Sequence, residues 1–514
     1  MASEEVLAGL GPGRRLHPLS WLFLIGSTAK SLVIPALLLI FASQGFGFEL
    51  WALLLLVPAT VGALAKMFVF RYWYAPHDLV IRDGLLTRNE RHVPYGRIQN
   101  VDLVRNPFHR LLGVAQVRIE TASGSEPEAV IRVLSMEAVE EMRAHVFAEK
   151  RQAAGTAAGV APPPARALFN MPTREVVKYG LIDNRGMVVV AAALGLVWQL
   201  GIFDEGRPFA LDFDDLPAWL RVAVREDDWF GIREGHWLAP LLTGALLLLT
   251  ALLLLRLLSV VLALITLHRF TLTRDGEDLR TEMGLFTRLT ATIPRPRVQL
   301  LTVESGWLAR RFGRVSVQVE TAGSAPAAGE DADTQGPQIR WLAPLLPRDQ
   351  VAPLLAEVLP EVPYEELDWQ PLAPRAWRRI LKRWLFWVAV LTVPVALLAG
   401  WWALAFAVPA ALWGWLHARR WVRHTGWATT GQAVAYRSGW WKQKLSIVRY
   451  GKIQTVELRA NPFDRRNDMA RLSVDTAGAR RAGHRVHVPY LATATARELS
   501  ERLYFEAAET AFRW

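Results

Sequence analysis

One short pattern occurs three times and holds the residues best suited to binding chemistry. It is a basic residue, an aliphatic residue and a glutamine: Arg97-Ile98-Gln99, Arg297-Val298-Gln299 and Lys452-Ile453-Gln454. Near an anionic membrane surface, each such basic residue contributes on the order of 1 kcal/mol of attraction. A structural role is equally open, because a strand glutamine can satisfy edge backbone groups.

Further basic residues recur around this pattern and in the hairpin before it. Together they are Arg88, Arg91, Arg97 and Arg105, then Arg288, Arg295, Arg297 and Arg310, then Lys442, Lys444, Arg449, Lys452 and Arg459. Lipid binding and simple solvation of a protein surface explain them equally well. Nucleic-acid binding is excluded as a main function because no aromatic RNA-binding stretch or recognition helix accompanies the charge.

Catalytic motifs are missing from the sequence. We find no nucleophile elbow, phosphate-binding glycine loop, HExxH helix or carboxylate cluster at membrane depth. The chain has no Cys, which excludes disulfides and thiolate sites. His484 and His487 would lie on opposite faces of a strand, so a shared metal is not expected. We therefore predict a protein that is not an enzyme and has no cofactor and no metal.

The spacing around the three triplets is constant and predicts a repeated β domain. Each triplet begins 13 residues after a glycine (Gly84, Gly284, Gly439) and lies 24 residues before a threonine (Thr121, Thr321, Thr476). Alternating runs predict strands, and Asp83-Gly84 is typical of a hairpin turn. Ser135 can cap a following helix, 135 to 154. The order of these elements is that of a small antiparallel barrel closed by a C-terminal helix.

The chain resembles the YdbT-like family of bacterial PH-domain membrane proteins over nearly its whole length. The resemblance rests on the three triplet blocks, each ending in residues similar to Glu320-Thr321-Ala322-Gly323, and on hydrophobic pairs between the copies. Copy three departs most, with Asp475 in place of the glutamate and Asp468 in place of Gly113 and Gly313.

The resemblance implies which residues bind a ligand, since eukaryotic PH domains bind anionic headgroups through basic strand and loop residues. By that analogy of fold, the candidate ligand-binding residues are Arg97, Gln99, Arg297, Gln299, Lys452 and Gln454. Fold alone does not fix function.

Composition predicts an integral membrane protein, because 52% of the residues are hydrophobic and 22 are Trp. The sequence around the first apolar block has no signal-peptide cleavage site, so we expect it to remain attached. Six apolar stretches are candidate spans in three hairpins: Leu19 to Ser43, Leu50 to Phe70, Gly186 to Phe203, Trp237 to Arg256, Trp384 to Ala399 and Trp401 to Leu416. The first stretch contains Lys30, so we expect its span to begin at about Ser31, with Lys30 reaching back to the headgroups. The alternative is that Lys30 is a buried ion or proton site.

Basic residues that flank these stretches lie on one side, which the positive-inside bias assigns to the cytoplasm. A single long helix in place of the third pair would put Arg419 opposite Arg378, so two short passes are favoured. We therefore expect a bacterial inner-membrane protein with both termini and all three barrels in the cytoplasm. The one sizeable external loop is 204–236.

The predicted fold class is a mixed membrane protein with six transmembrane α-helices in three hairpins and three cytoplasmic PH-like β-barrels, each closed by a C-terminal helix. Linkers rich in Pro, Gly and Ala mark the boundaries. The predicted divisions are an N-terminal segment and span pair 1 (1–70), domain 1 (71–154), a linker (155–185), span pair 2 (186–267), domain 2 (268–372), span pair 3 (373–420) and domain 3 (421–514).

Two functions follow from this organisation. The first is a non-enzymatic scaffold for anionic phospholipid headgroups or partner proteins, and the resemblance adds envelope maintenance or antimicrobial-stress resistance. Candidate protein partners are a smaller PH-domain membrane protein or a second copy of the chain. The second function is a transporter or flippase, for which Pro35, Pro58, Pro394 and Pro409 could break helices.

Labelling of an introduced cysteine tests the predicted topology, because the native chain contains no Cys. Ser438→Cys places a thiol in domain 3. We expect a membrane-impermeant reagent to leave it unlabelled in intact cells and to label it in inverted vesicles. Labelling from outside intact cells would show that domain 3 is not cytoplasmic.

Overall fold

The computed structural model describes residues 12–23, 61–62, 64–65, 67–84, 88–121, 129–153, 166–199, 238–276, 278–321, 340–476 and 486–509. The strands, numbered β1 to β20, are Arg71–Tyr74, Asp78–Asp83, Asn89–Pro94, Ile98–Arg105, Val114–Thr121, Ala129–Ser135, Arg166–Asn170, Thr271–Asp275, Asp278–Met283, Arg288–Pro294, Val298–Gly306, Arg314–Thr321, Arg340–Pro347, Gln370–Pro371, Gly426–Thr429, Ala433–Ser438, Lys442–Arg449, Ile453–Arg459, Met469–Thr476 and Val486–Ala492. The helices, α1 to α11, are Pro107–Leu111, Met136–Ala153, Thr173–Ile182, Arg185–Gln199, Leu238–Thr266, Trp307–Arg311, Val351–Val358, Ala376–Ala399, Leu404–His424, Pro462–Arg465 and Thr493–Glu509.

Each repeat forms two antiparallel sheets and a closing helix. In domain 2, β7 to β10 form one layer and β11 to β13 the other, with α7 after the last strand. Domain 3 repeats this order with β14 to β20 and α11, and domain 1 has β1 to β6 and α2. The predicted pattern of strands followed by a helix is present in all three repeats.

Local sequence signals explain the turns and the helix start. Gly84, Gly284 and Gly439 have φ values of 99°, 110° and 85°, which a residue with a Cβ rarely adopts. The backbone N–H of Ala138 donates to Ser135 Oγ at 3.2 Å, so Ser135 caps α2 as predicted. Asp468 adopts a φ of 55° where the other copies have glycine. Aspartate tolerates this conformation better than most residues.

The aliphatic residues of the three triplets are equivalent core positions. Ile98, Val298 and Ile453 are 1%, 1% and 7% exposed. Each begins the strand that follows a 3₁₀ turn, and each is followed by the same irregularity of strand pairing. The prediction that these three side chains are buried equivalents is confirmed.

The sheets continue from one domain into the next. The sequence did not indicate this continuation. Strand β4 of domain 1 pairs with β10 of domain 2, and β11 of domain 2 pairs with β17 of domain 3. The result is two seven-stranded sheets, each shared by consecutive domains. We call these two pairings joint 1 and joint 2.

In the second shared sheet, each of domains 2 and 3 also contributes side chains to the hydrophobic core of the other. One face places Ala428, Ala433 and Ile447 of domain 3 in the hydrophobic core of domain 2. The other face places Leu300 of domain 2 in the core of domain 3, beside Val448. Domains 2 and 3 therefore bury their joint strands in common, which the prediction of three barrels did not include.

Of the predicted spans, two helices in the described part of the chain have the length and hydropathy to cross a membrane, Gly244–Thr266 and Ala376–Leu397. The six-span layout therefore stays a prediction. Helices α8 and α9 reverse direction at Gly400 and form a hairpin, in which Trp384 Nε1 donates to the carbonyl of Ala410 at 2.8 Å. Most of the first predicted pair lies outside the described residues.

The predicted linker, 155–185, is longer than the structure allows. Its second half forms β7, which extends the sheet of domain 2, and α3, which docks on that domain. Glu175 of α3 accepts two hydrogen bonds from Arg314, at 2.9 and 3.0 Å. This guanidinium, together with Lys178, lowers the pKa of Glu175 to about 2. The ion pair anchors α3 because the carboxylate is buried.

A charge placed at a buried triplet position should unfold its domain. We expect Ile98→Asp to lower stability by several kcal/mol, since an unpaired carboxylate replaces a side chain in the core. The measurement is limited proteolysis of the full-length protein in detergent, scored on fragments of domain 1. Arg97→Asp at the adjacent exposed position is the control. Equal protease resistance of both variants would contradict the assignment.

Candidate functional site

The six predicted ligand-binding residues lie at or just after three equivalent 3₁₀ turns. Arg97 is exposed, Arg297 is half-buried and Lys452 is 6% exposed. Gln299 is 5% exposed, whereas Gln454 is exposed at the equivalent position of domain 3. The side chain of Gln99 is outside the described atoms. The three copies therefore offer three different environments.

Joint 2 brings two of the predicted residues together. Arg297 and Lys452 lie close enough for the Arg297 charge, with that of Arg449, to lower the Lys452 pKa. Burial is the larger cause, and the pKa of Lys452 falls to about 8. Arg449 donates to the carbonyl oxygens of Arg295 and Val298 at 2.9 and 2.7 Å. This cluster holds domains 2 and 3 together.

The 3₁₀ turns are far from the end of each domain where the long helices enter. Strand β11 runs nine residues from Val298 to Gly306, which is about 26 Å. The hairpin between β9 and β10 lies at the end of β10 that is remote from the 3₁₀ turn. There the backbone N–H groups of Gly284 and Leu285 donate to the carbonyls of His268 and Ile265, at the C-terminal end of α5. The predicted site residues and the helix entry thus lie at opposite ends of the strands.

We call the second region the helix-entry end. It consists of the hairpin turns after Gly284 and Gly439 and the short helices α1, α6 and α10. It exposes large apolar side chains in all three domains: Phe108 67%, Leu111 83%, Phe286 53%, Trp307 49%, Phe312 48%, Trp441 54% and Phe463 67%. Two pairs of these residues are equivalent between domains, Phe108 with Phe463 and Phe286 with Trp441. Large exposed apolar groups of this kind mark an interaction surface.

An arginine recurs in the same place in each short helix. Arg110 donates to the carbonyl of Leu285 at 3.2 Å, across joint 1. Arg310 donates to the carbonyls of Trp440 and Trp441 at 2.6 and 3.1 Å, across joint 2. Arg465, the third member, is exposed. The helix-entry end is therefore basic as well as apolar.

A tryptophan cluster connects this end to the third helical hairpin. Trp440 Nε1 donates to His417 Nδ1 of α9 at 3.0 Å, and the Arg420 guanidinium lies 5.3 Å from the Trp440 ring centre. Trp441 lies 5.6 Å from Trp307 of domain 2, measured between ring centres. Tryptophan and arginine side chains of this kind are typical of the membrane–water interface.

A cavity of about 260 Å³ lies between the third helical hairpin and domain 3. Arg383 and His417 line it from the hairpin, and Arg471 and His487 line it from β19 and β20. Its remaining walls are apolar or aromatic, and no carboxylate lines it. A site with two guanidinium groups and no acid suits a phosphate or carboxylate ligand.

Metal binding has no support in the described part of the chain, which contains no cluster of three potential metal ligands. His487 contacts Ser473 Oγ through Nδ1 at 2.8 Å. His484 lies outside the described residues.

The helix-entry end was not chosen from the sequence, although signals for it were present. Asn106-Pro107-Phe108 and Asn461-Pro462-Phe463 are a repeated helix start, and a basic residue follows in each copy. Only Arg310 of the three equivalent arginines was among the basic residues selected. The surface can be recognised only when its apolar side chains are known to be exposed, and their exposure depends on tertiary packing.

These features define a membrane protein with three PH-like domains. The sequence model described as Bacterial PH domain matches residues 23–150, 232–359 and 384–507, so the chain belongs to that family. Each match includes residues of the preceding predicted span pair. The family match indicates no class of enzyme.

The chain is also similar to the UPF0699 transmembrane protein YdbT of Bacillus subtilis (strain 168). The two are 20% identical over 482 residues, which is 90% of this chain and 92% of the relative. The protein is therefore YdbT-like, as the resemblance implied. No solved structure matches it.

A depth measurement tests the orientation of the helix-entry end. A fluorophore on Leu111→Cys should be strongly quenched by lipids that carry a quencher near the headgroup. The same fluorophore on Gly96→Cys, at the far end of domain 1, should be quenched little, because about 23 Å of strand β4 separates the two ends. Equal quenching, or stronger quenching at position 96, would contradict the orientation.

Proposed function

We propose that this protein is a non-enzymatic scaffold of the bacterial inner membrane whose cytoplasmic PH-like domains bind anionic lipid headgroups at the helix-entry end. The single observation behind the proposal is that exposed apolar side chains and arginines coincide there in all three domains. The six triplet residues stay a prediction as ligands, and their distance from the helix entry favours a role in the joints.

The proposed membrane layout has six spans in three hairpins, with both termini in the cytoplasm. Helices α8 and α9 support the third hairpin, and α4 lies beside α5 in the second, where the Gly186 N–H donates to Ser259 Oγ at 2.9 Å. Arg256 of α5 donates to the Asp183 carbonyl at 3.2 Å, just before α4 begins. This contact supports a membrane boundary at that level.

The energetics favour many weak contacts over one strong site. An exposed arginine near an anionic leaflet contributes on the order of 1 kcal/mol. Aromatic side chains such as Trp307 and Trp441 add apolar burial in the interface. The spans already hold the domains at the surface, so tethering raises the effective lipid concentration and weak binding suffices.

The cavity lined by Arg383 and Arg471 is the best candidate for a defined headgroup site. It lies beside the helical hairpin, where a headgroup can enter while its acyl chains remain in the bilayer. Two guanidinium groups can each donate two hydrogen bonds to phosphate oxygens. A zwitterionic headgroup would place an additional positive charge beside these guanidinium groups, which favours anionic lipid.

The transporter alternative needs polar groups or broken helices near mid-membrane. Pro394 and Pro409 lie inside α8 and α9, yet both helices continue through them. Arg256 bonds to the segment that joins α3 and α4. The described helices therefore favour an anchoring role.

Lipid retention tests the headgroup site. Full-length Arg383→Gln/Arg471→Gln protein, purified in mild detergent, should retain several-fold less anionic phospholipid than the native chain, measured by mass spectrometry. Lys382→Gln/Arg497→Gln is the control, because it removes the same charge from exposed positions outside the cavity. Equal retention by both double variants, or no preference for anionic lipid in the native chain, would contradict the proposal.

A further inference from the structure

We propose that copies of this chain associate head to tail, with strand β18 of one copy pairing with strand β3 of the next. This assembly is independent of lipid binding. It follows from the way in which the three domains of one chain are already joined.

Joints 1 and 2 use the same register. In joint 1, Arg288 lies opposite Arg105. In joint 2, Gln443 lies opposite Ser305. These pairs occupy equivalent positions of the repeat, since Arg288 and Gln443 each follow the hairpin glycine by four residues. Both joints therefore follow one rule. The strand that follows the 3₁₀ turn of one domain, β4 or β11, pairs with the strand that precedes the 3₁₀ turn of the next domain, β10 or β17.

The first and last domains each have one edge strand of the kind that forms a joint. These strands are β3 in domain 1 and β18 in domain 3. Within the described part of the chain, β3 pairs with β2 alone and β18 pairs with β19 alone. Strand β3 is the counterpart of β10 and β17, whereas β18 is the counterpart of β4 and β11. One chain therefore has both complementary edges and cannot join them to each other within a row.

Exposure supports an unfilled joint at β18. Leu300 and Val303 of β11 are 2% and 7% exposed within joint 2. Their counterparts in β18, Thr455 and Leu458, are exposed. A long exposed edge strand is a template for pairing with another chain.

The same register between copies places complementary charges opposite each other. Continuing the rule from joints 1 and 2, Asn89 lies opposite Arg459 and Arg91 lies opposite Glu457. Residues directly opposite in an antiparallel pair point to the same face and interact. Joint 2 has such a pair, since Lys444 lies opposite Glu304 with its Nζ 3.9 Å from Glu304 Oε1. The diagonal neighbour Lys442 places its Nζ 2.8 Å from Glu304 Oε2. A second copy of this chain thus fits the edge by charge.

Arg465 supports the same conclusion. Its equivalents, Arg110 and Arg310, each donate to hairpin carbonyls of the next domain. Within the described residues no further domain lies beside domain 3, and the Arg465 side chain makes no hydrogen bond or ion pair there. A following copy that pairs through β3 would place a next domain beside Arg465.

The closing helix adds a second surface beside the open edge. In joint 1 the helix α2 approaches domain 2, where burial and the nearby Arg280 lower the pKa of Arg143. The corresponding helix of domain 3, α11, exposes Tyr504 and Phe505 at 65% and 62%. These aromatic side chains lie on the element that contacts the next domain in joint 1.

Membrane attachment is compatible with this assembly. Each joint places the helix-entry ends of both domains on the same side, so a joint of the same geometry between copies keeps both copies on one membrane face. The contact is heterologous, because the two copies use different surfaces. Repetition therefore yields a ring or an open row.

Disulfide crosslinking in native membranes tests the assembly. Two differently tagged full-length chains are coexpressed, one with Asn89→Cys and the other with Arg459→Cys, and are oxidised. Directly opposite residues suit a disulfide. We expect an adduct that carries both tags. The control pairs Asn89→Cys with Leu458→Cys, which points to the other sheet face and should crosslink several-fold less.

A second test compares the substitution of two adjacent arginines, Arg465 and Arg466. Added to the crosslinking pair, Arg465→Ala should lower adduct yield, whereas Arg466→Ala at the adjacent exposed position should not. Similar yields from the Arg459→Cys and Leu458→Cys chains, or an adduct of the Arg459→Cys chain only with a different protein, would overturn the proposal. Either outcome leaves the lipid-retention result unaffected, so failure here is distinguishable from failure of the proposed function.

Discussion

Edge pairing between consecutive domains is the interaction on which this structure depends. A sheet edge exposes unpaired backbone N–H and C=O groups, and a protein with many small sheets must cover them. Here the solution is to join β4 to β10 and β11 to β17. In joint 2 the pairing also merges two cores, because Ala433 of domain 3 packs in the core of domain 2.

In the lipid-binding proposal, the joints bring three weak contacts together on one surface. Because both joints run in one register, the short helices of all three domains lie at the helix-entry end. Arg110 and Arg310 fasten this end by bonding to the next hairpin. The exposed aromatic groups are thereby presented together, and the lipid-binding proposal rests on this shared presentation.

Much of the domain structure was predictable because its signals are local. Gly84 and its equivalents needed positive φ, Ser135 needed to cap a helix, and Ile98 and its equivalents needed burial. The pairing of strands between domains was not predictable. The same alternation of apolar and polar residues occurs in strands with one neighbouring strand and in strands with two. The burial of Lys452 followed from the joint, since an isolated repeat would leave that turn at the surface. The site prediction therefore placed a joint residue among the ligands.

Amide hydrogen exchange of the full-length protein in detergent tests the central claim most directly. Peptides that cover β17, residues 442–449, report joint 2, and peptides that cover β3, residues 89–94, report the equivalent open edge. At a dilution that keeps the protein monomeric, we predict slow exchange throughout β17 and faster exchange in β3. Among the described residues, β17 has a strand on both sides and β3 has one on a single side. Equally fast exchange in β17 and β3 would contradict the shared sheet and the account built on it.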